Sequence, residues 1–332
     1  MSGYPKAVAS GWHPVATVRE LRGRPLARRL MDTPLVVFRG REGPVVFIDR
    51  CPHRNAPLSA GRLRGGEIEC RYHGWRFSGD GRCTLVPGAV TPSSHRAERL
   101  PAVECAGLVW TSLAEAPRAF QPLPHPLEAE GFDSFLWPVK PARAALFDAI
   151  ENLLDPAHPH FLHAGIVRSG RKRHPVDVTV RIDSTRAEAI YLENARPEAL
   201  MPRMLEGLRA TSVGRFFPPA TAQLAFEGPD GPRLAITVFF SPEGPFSVRP
   251  FAHLATPMGR APALLKELVL RAFNAPVLAQ DRAVLRQQAD NVERFGAARY
   301  ALGPLDFLRP AIQALADGKP LEPSERTTRV SL

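Results

Sequence analysis

The sequence is poor in cysteine and has no long apolar run. Its 332 residues include only the cysteines Cys51, Cys70, Cys83 and Cys105. No stretch approaches the ~20 consecutive apolar residues that a membrane-spanning helix needs, and Met1–Val18 lacks the apolar core of a secretory signal. We therefore expect a cytoplasmic protein without a membrane partner. In that reducing compartment, cysteines are expected as metal ligands or buried thiols and not as disulfides.

Motifs for nucleotide and nucleic-acid binding are also absent. No glycine-rich dinucleotide fingerprint occurs, which excludes a nicotinamide-binding domain of that type. The formal net charge is +10, but the arginines are scattered apart from the local cluster Arg168–His174. Without a nucleic-acid motif, this charge indicates a solvated basic surface and no nucleic-acid partner. Docking of an acidic protein is the more specific alternative, because complementary charge mainly raises the rate of encounter.

The first part of the chain reads as short β-segments. Leu35–Phe38, Val45–Ile48 and Leu108–Trp110 are strand-like apolar runs, and glycines punctuate the sequence between them. We predict a small antiparallel β-domain over residues 1–116. The proline-bearing segment Pro117–Pro126 then begins the second domain as a linker.

The second part, residues 117–332, mixes helical and strand periods. Apolar residues recur at helical spacing over 146–154 and alternate over 176–182 as in a half-buried strand. Further strands are expected at Ile190–Leu192, Leu234–Phe240 and Phe246–His253, and two helices at Pro262–Phe273 and Pro276–Phe295. The predicted fold class is therefore α+β, with the second domain built on an antiparallel sheet.

Two short motifs each pair a thiol with an imidazole. Cys51-Pro-His53 and Cys70-Arg-Tyr-His73 are separated by sixteen residues. A Rieske-type [2Fe–2S] cluster needs two cysteines on one iron and two histidines on the other, and its neutral imidazoles raise the reduction potential. Zinc is the alternative, since two thiolates and two imidazoles also suit a tetrahedral site. Zinc sites usually keep their cysteines together and their histidines together, so the mixed halves favour the cluster.

A second group of metal ligands follows between Asn152 and His163. The segment reads Asn-Leu-Leu-Asp-Pro-Ala-His-Pro-His-Phe-Leu-His, with three histidines and one carboxylate in twelve residues. Two histidines and one carboxylate on one face of an iron leave positions open for O2 and substrate, as in the facial triad of Fe(II) oxygenases. The prolines after Asp155 break the preceding helix, so its geometry cannot be projected onto the histidines.

The third ligand must come from further along the chain, and Asp281 is the candidate. It falls at the centre of an apolar stripe on a predicted helix, formed by Val277, Leu278, Val284 and Leu285. A carboxylate that faces a core must be paired or bound to a metal, because burying it unpaired is costly. A buried salt bridge to an arginine is the alternative interpretation of Asp281.

Together these motifs resemble the oxygenase (alpha) components of Rieske non-haem iron oxygenases, in the branch of vanillate O-demethylase, dicamba demethylase and the pheophorbide oxygenases. The second motif continues as Gly74-Trp75, as in that family, and neither loop has the extra cysteine of respiratory Rieske proteins. The resemblance implies a Rieske domain followed by a catalytic domain of helix-grip type. It implies iron binding by His158, His163 and Asp281 and leaves His160 off the pattern.

The resemblance also implies roles for two residues beside the iron ligands. Asp155 precedes the first iron histidine by three residues and is expected to bridge to a cluster histidine, His73, of a neighbouring subunit. Asp155 and Asn152 are the candidate catalytic residues. The resemblance also implies a homotrimer or a multiple of it. Electrons are expected from NAD(P)H through a separate reductase, with or without a ferredoxin.

The expected reaction is O2-dependent hydroxylation or oxidative demethylation of a small aromatic compound. The short tail after Asp281 favours this branch over the larger ring-dihydroxylating subunits. The alternatives are aromatic cis-dihydroxylation and, from another class, a Rieske electron carrier without a working mononuclear iron. Candidate pocket residues are Phe216, Phe217, Leu224, Phe226, Phe239 and Phe251, with Arg168–Arg173 or His253 as candidates to hold a substrate carboxylate.

Overall fold

The computed structural model describes residues 3–120, 124, 126, 129–167, 173–192, 211–228, 231–259 and 261–332. The chain divides into two compact units. The first contains Met1–Tyr4, Ala9–Phe120 and Ser241–Gly244, and the second contains Pro5–Val8, Gln121–Phe240 and Pro245–Leu332. The domain boundary between residues 116 and 117 stays a prediction.

The first unit is built from short antiparallel strands. Its described residues form β1 (His13–Thr17), β2 (Leu26–Leu30), β3 (Thr33–Arg39), β4 (Pro44–Ile48), β5 (Arg62–Arg64), β6 (Glu67–Glu69), β7 (Arg76–Phe77), β8 (Cys83–Leu85), β9 (Arg99–Leu100), β10 (Ala102–Cys105) and β11 (Leu108–Thr111). They pair into sheets of order β1-β11-β10, β2-β3-β4-β9 and β5-β6-β7-β8. The apolar runs expected as strands lie in β3, β4 and β11, which confirms the small antiparallel β-domain.

Aromatic side chains fill the core of this unit. Phe38 and Phe47 on neighbouring strands meet edge to face, with ring centroids 5.4 Å apart, and both are fully buried, as is Phe77. Burying such a ring contributes roughly 1.5–3 kcal/mol. The same hydrophobic cluster includes Cys51 and Cys70. The two thiols are therefore part of the packed hydrophobic core of this unit.

The second unit contains an antiparallel sheet flanked by helices. Its described residues form the strands β12 (Phe132–Pro138), β13 (Pro175–Ile182), β14 (Ala187–Leu192), β15 (Thr211–Phe217), β16 (Thr221–Gly228), β17 (Gly231–Gly244), β18 (Ser247–Pro257) and β19 (Ser324–Ser331). The order is β12-β18-β17-β16-β15-β14-β13-β19. The strands expected in this part overlap β13, β14, β17 and β18, so the α+β fold class is confirmed.

A short helix, α1 (Lys6–Ser10), precedes β1, and helix α2 (Leu146–Leu154) leads into the second ligand segment. The buried residues of α2 are Leu146, Asp148, Ala149, Ile150 and Leu154. Its last turn lies close to β15, where a Cβ on Gly214 would be 3.4 Å from Leu154 Cδ2. The absence of a side chain at Gly214 lets the end of α2 approach the sheet, and this contact positions the segment that follows.

The two helices predicted between residues 262 and 295 are one helix, α3 (Ala263–Phe295), and the predicted break at Pro276 is wrong. An internal proline removes one hydrogen bond and crowds the carbonyl four residues earlier. This cost falls on a single turn, and Pro276 is exposed, so its ring displaces no core side chain. Helix α4 (Arg309–Ala316) follows. Within the described residues, no helix combines the length and apolar character that crossing a membrane requires.

Candidate metal centres

The two cysteine–histidine motifs form loops with the same backbone hydrogen bonds. The Cys51 N–H donates to the Ala56 carbonyl at 2.8 Å, and the Cys70 N–H donates to the Trp75 carbonyl at 2.8 Å. Each cysteine carbonyl in turn accepts from the N–H four residues later. Two loops of one shape thus present their cysteines in equivalent positions, as a shared two-iron group requires.

The residue four positions after each cysteine has a left-handed backbone. Asn55 has a φ of 60° and Gly74 a φ of 72°. Glycine adopts this region without strain, and asparagine tolerates it better than most residues. The left-handed residue turns each loop back just after its histidine.

The two imidazoles of these loops are neighbours. The ring centroids of His53 and His73 are 4.7 Å apart. Trp75 stacks on His53 with centroids 4.5 Å apart and an interplanar angle of 8°, and Tyr72 lies 3.8 Å from His73. Desolvation, followed by the charges of His73 and Arg54, lowers the pKa of His53. A lowered pKa favours the neutral imidazole, which is the form that binds a metal.

The two thiols are buried and adjacent. Cys51 and Cys70 are free cysteines, 1% and 3% exposed. Burial, opposed by backbone hydrogen bonds and reinforced by Cys70, raises the pKa of Cys51 to about 11. A pair of buried thiolates needs a cation to compensate its charge, and a metal supplies it. Two sulfurs and two imidazole nitrogens on facing loops therefore fit a Rieske cluster, although zinc has the same donor types.

A second site brings together His158, His163 and Asp281. Their ligand atoms lie within 4.8 Å of one another. Asp281 Oδ1 is 3.0 Å from His163 Nε2 and 3.7 Å from His158 Nε2. Metal–ligand bonds of about 2.0–2.2 Å separate neighbouring ligand atoms of one ion by roughly 3 Å. The three residues predicted as iron ligands are therefore close to the spacing that one ion imposes.

The outer nitrogen of each histidine faces an oxygen. His163 Nδ1 lies 2.8 Å from Gln280 Oε1, and His158 Nδ1 lies 3.1 Å from the Asp155 carbonyl oxygen. An oxygen acceptor at Nδ1 places the proton there and leaves the lone pair on Nε2. Both Nε2 atoms then carry a lone pair, at 3.7 Å (His158) and 3.0 Å (His163) from Asp281 Oδ1.

His163 Nε2 provides the test of whether a metal fits. It is buried and has no hydrogen-bond partner within the described residues, although Asp281 Oδ1 is only 3.0 Å away. The distance between His163 Nε2 and Asp281 Oδ1 is that of an ion pair, but the angles at these two atoms are not those of a hydrogen bond. A lone pair beside a carboxylate oxygen is unfavourable unless a cation lies between them. The residues present therefore fit a metal ion.

The Asp281 oxygen that faces the histidines also contacts an amide. Asn152 Nδ2 donates to Asp281 Oδ1 at 3.3 Å. Burial raises the pKa of Asp281, and the charges of His163 and His158 oppose this shift. The predicted apolar stripe is only partly correct, because Leu285 is buried whereas Val284 is exposed. Asp281 nevertheless lies together with His158 and His163, and its role as an iron ligand stays a prediction.

Asp155 stands where α2 ends and caps the turn that follows. Its Oδ1 accepts from the Ala157 N–H at 2.7 Å, and its Oδ2 lies 3.6 Å from His158 Nδ1. Burial raises the pKa of Asp155, but the hydrogen bonds from His158 and Ala157 outweigh it and hold the pKa below its ordinary value. The carboxylate is 41% exposed. The bridge to a neighbouring subunit's His73 stays a prediction.

Gln280 was not among the site residues predicted from the sequence. Its contact with His163 joins residues 117 positions apart, and no local pattern signals such a pair.

Of the proposed carboxylate-binding cluster, residues 168–172 lie outside the described residues, and the Arg173 guanidinium lies 5.4 Å from the Phe161 ring centroid.

The candidate pocket aromatics divide into two groups. Phe216, Phe239 and Phe251 are among the largest fully buried side chains, which is typical of core residues. Phe217 and Phe226 are partly exposed. His253 is buried, and its Nδ1 lies 2.8 Å from Ser134 Oγ.

Two family models match the chain. The Rieske [2Fe-2S] domain matches residues 11–104, and the vanillate O-demethylase oxygenase C-terminal domain matches residues 143–306. The match of both domains, in this order, shows that the chain belongs to the Rieske non-haem iron oxygenases, a family of oxidoreductases. Its second domain places it in the branch named after vanillate O-demethylase. The cofactors of such a chain are a Rieske [2Fe–2S] cluster and a mononuclear iron, and oxygenase components of this family receive electrons from reductase or ferredoxin partners.

Individual relatives are similar over different parts of the chain. Vanillate O-demethylase oxygenase subunit from Pseudomonas sp. (strain HR199 / DSM 7063) is 27% identical over 317 residues, 85% of this chain and 86% of that protein. The oxygenase component of dicamba O-demethylase from Stenotrophomonas maltophilia is 41% identical over 106 residues, 31% of each chain. Protein TIC 55 from Arabidopsis thaliana is 28% identical over 243 residues, 66% of this chain but 41% of that protein. The matched region thus spans less than half of the last two proteins.

The fold is that of a solved oxygenase. The crystal structure of dicamba monooxygenase bound to dicamba matches with a TM-score of 0.80 at 23% identity, covering 93% of this chain and 97% of that one. NdmA from Pseudomonas putida CBB5, solved with caffeine, matches with a TM-score of 0.77 at 21% identity, covering 96% and 97%. These likenesses establish the two-domain fold.

Proposed function

We propose that this chain is an oxygenase component that uses O2 and externally supplied electrons to hydroxylate or oxidatively demethylate a small aromatic substrate. The observation that carries the proposal is the pair of donor sets in one chain. One set has two thiols and two imidazoles, and the other has two imidazoles and a carboxylate within 4.8 Å. Names of several relatives, among them vanillate O-demethylase and methylxanthine N1-demethylase, support demethylation.

We assign the ligands as the sequence predicts. Cys51, His53, Cys70 and His73 would hold the cluster in a domain of residues 1–116. His158, His163 and Asp281 would hold the iron in a domain of residues 117–332. When bound, the cluster supplies electrons one at a time, and the iron supplies the redox chemistry that activates O2.

The residues around the iron ligands position them. Asn152 directs the Asp281 carboxylate with its amide, while Gln280 and the Asp155 carbonyl hold the outer nitrogens of the two histidines. Insertion of one oxygen atom consumes O2, two electrons and two protons and releases water. Asp155, as a partly exposed carboxylate next to His158, is suited to hydrogen-bond a cluster histidine of a second subunit.

The finer assignments of partner, assembly and location belong to the same proposal. We infer a homotrimer or a multiple of it, electrons from NAD(P)H through a reductase with or without a ferredoxin, and a cytoplasmic location. Neither a nucleic acid nor a membrane is proposed as a partner. The net charge of +10 suits an acidic electron donor, because opposite charge accelerates encounter.

The deciding experiment is an assay for formaldehyde with a panel of methoxylated and N-methylated aromatics. The protein is reconstituted with iron and sulfide and supplied with a reductase, a ferredoxin and NAD(P)H. We expect formaldehyde in proportion to the substrate consumed, with about three irons per chain. A content of about two irons, unchanged by His158→Ala, would show an electron carrier instead.

Aromatic cis-dihydroxylation is the second candidate, because one relative favours it. The oxygenase subunit of 3-chlorobenzoate-3,4-dioxygenase from Comamonas testosteroni is 32% identical over 183 residues, 52% of this chain and 42% of that protein. A diol product without formaldehyde in the same assay would reverse the order of the two candidates.

A further inference from the structure

Helix α3 presents two consecutive polar side chains to one imidazole. Gln280 Oε1 lies 2.8 Å from His163 Nδ1, and Asp281 Oδ1 lies 3.0 Å from His163 Nε2. The imidazole between them is almost completely buried, with 1% exposure. Both nitrogens of His163 are therefore in contact with the same turn of one helix.

This arrangement is unusual for adjacent helical residues. Consecutive residues on a helix project about 100° apart, so they seldom approach one ligand together. Here the two directions match the two nitrogens, which lie on different edges of the imidazole ring. The ring is thereby oriented by α3 at both edges, although His163 itself comes from the segment after α2.

The chemistry of the Gln280 contact defines the state of His163. An amide oxygen can only accept a hydrogen bond, so it selects the tautomer that carries its proton on Nδ1. Nε2, which faces Asp281, then has a free lone pair. Because glutamine is uncharged, it fixes the orientation of the ring without pulling the imidazole toward the imidazolate that a carboxylate acceptor favours.

The other histidine has a backbone oxygen as its nearer acceptor, with the Asp155 carboxylate 3.6 Å from the same nitrogen. His158 Nδ1 faces the backbone carbonyl of Asp155 at 3.1 Å, and a substitution does not remove a carbonyl. For His163, in contrast, the acceptor at Nδ1 is the Gln280 side chain, which mutagenesis can delete.

We propose that Gln280 is a positioning residue that fixes the tautomer of His163 and thereby sets the affinity of the mononuclear site for Fe(II). The inference rests on the proposed role of His163 as an iron ligand. Outer-sphere partners of a metal-bound histidine typically change metal affinity by about 10–100-fold.

The test compares Gln280→Leu, Gln280→Glu and the control Gln288→Leu, which removes an exposed amide from the same helix. Each variant is prepared with an intact cluster, verified by its EPR signal after reduction. The dissociation constant for Fe(II) is then measured by titration after selective removal of the mononuclear iron. We expect Gln280→Leu to weaken Fe(II) binding by about 10–100-fold, with Gln280→Glu close to or tighter than wild type and Gln288→Leu unchanged.

A second readout separates positioning from general destabilisation. The d–d spectrum of Co(II) in the mononuclear site reports ligand geometry without turnover. We expect it to change in Gln280→Leu and to return toward wild type in Gln280→Glu. Fe(II) affinity within twofold of wild type together with an unchanged Co(II) spectrum in Gln280→Leu would overturn the inference.

The same titration on His163→Ala distinguishes the two levels of the argument. If His163→Ala abolishes Fe(II) binding while Gln280→Leu leaves it unchanged, the site is correct and only the role of Gln280 fails. If His163→Ala binds Fe(II) as wild type does, the proposed iron site itself fails, and the inference fails with it.

Discussion

At the scale of single residues, the acidic side chains of α2, Asp148 and Glu151, are paired with residues that follow α3. The Glu151 carboxylate is ion-paired with Arg309, whose guanidinium lies 3.7 Å from the Tyr300 ring centroid. Tyr300 in turn donates to Asp148 at 2.9 Å. The polar face of α2 is therefore not simply solvated, because the residues after α3 cover it with a charged network.

Glu151 makes this network sensitive to pH. Burial raises the pKa of Glu151 to about 7; Arg309 opposes the shift, whereas Asp148 and Asp306 reinforce it. The folded state therefore binds a proton more tightly than the unfolded state between about pH 4.5 and 7. The contribution to stability is full at low pH and is lost as the pH rises through 7.

We expect Glu151→Gln to remove this dependence. Relative to the variant, the free energy of unfolding of the wild-type chain should decrease by an amount on the order of 1–3 kcal/mol from pH 5 to pH 8. Denaturant titrations at several pH values, with the exposed Glu322→Gln variant as a control for the loss of one carboxylate, measure the difference. Parallel curves for wild type and Glu151→Gln would contradict the assigned cause.

At the scale of elements, the two cluster loops depend on one left-handed residue each. Gly74 has a φ of 72°, and a Cβ at this position would lie 2.9 Å from the ring of Pro87. Asn55 occupies the equivalent place in the other loop with a φ of 60°. The two positions share the left-handed backbone conformation. At Gly74, an added side chain would also contact Pro87.

We expect Gly74→Ala to destabilise the Rieske unit by about 1–2 kcal/mol from backbone strain alone, with a further cost from the contact with Pro87. Asn55→Gly should be nearly neutral, because glycine adopts the left-handed region readily. Thermal unfolding and the visible absorbance of the cluster per chain report both variants. Equal stability of Gly74→Ala and wild type would show that the loop relaxes away from this conformation.

At the scale of the whole molecule, the proposed route of electrons crosses between chains. His73 is exposed on its loop, and the Asp155 carboxylate is 41% exposed, so each is available to a second copy. A single chain with both metal sites therefore does not by itself determine which cluster serves which iron.

Subunit mixing tests this route. A His73→Ala chain lacks a working cluster, and a His158→Ala chain lacks a working iron site, so each homo-oligomer is expected to be inactive. We expect mixed oligomers to regain a measurable fraction of wild-type turnover, because an intact cluster then meets an intact iron across a subunit contact. Mixed oligomers that form but remain inactive would indicate transfer within one chain.

The local motifs could be recognised from the sequence because the metal-binding residues of each motif are only a few positions apart. Cys51 and His53 belong to one turn, as do Cys70 and His73, and His158 and His163 follow from a single broken helix. Strand-like runs such as Leu35–Phe38 were also correctly located, since apolar periodicity reflects burial directly.

Other features depend on tertiary contacts that the sequence does not display. Helix α3 continues through Pro276 because the remaining hydrogen bonds and contacts of a long helix outweigh the one hydrogen bond that proline removes. The sequence rule for proline overestimated the cost of that lost bond. The placement of β19 beside β13 and the pairing of Gln280 with His163 join segments more than a hundred residues apart. Side-chain chemistry along the chain was thus enough to propose which atoms bind the metals, whereas packing of distant elements decided which residues hold those atoms in place.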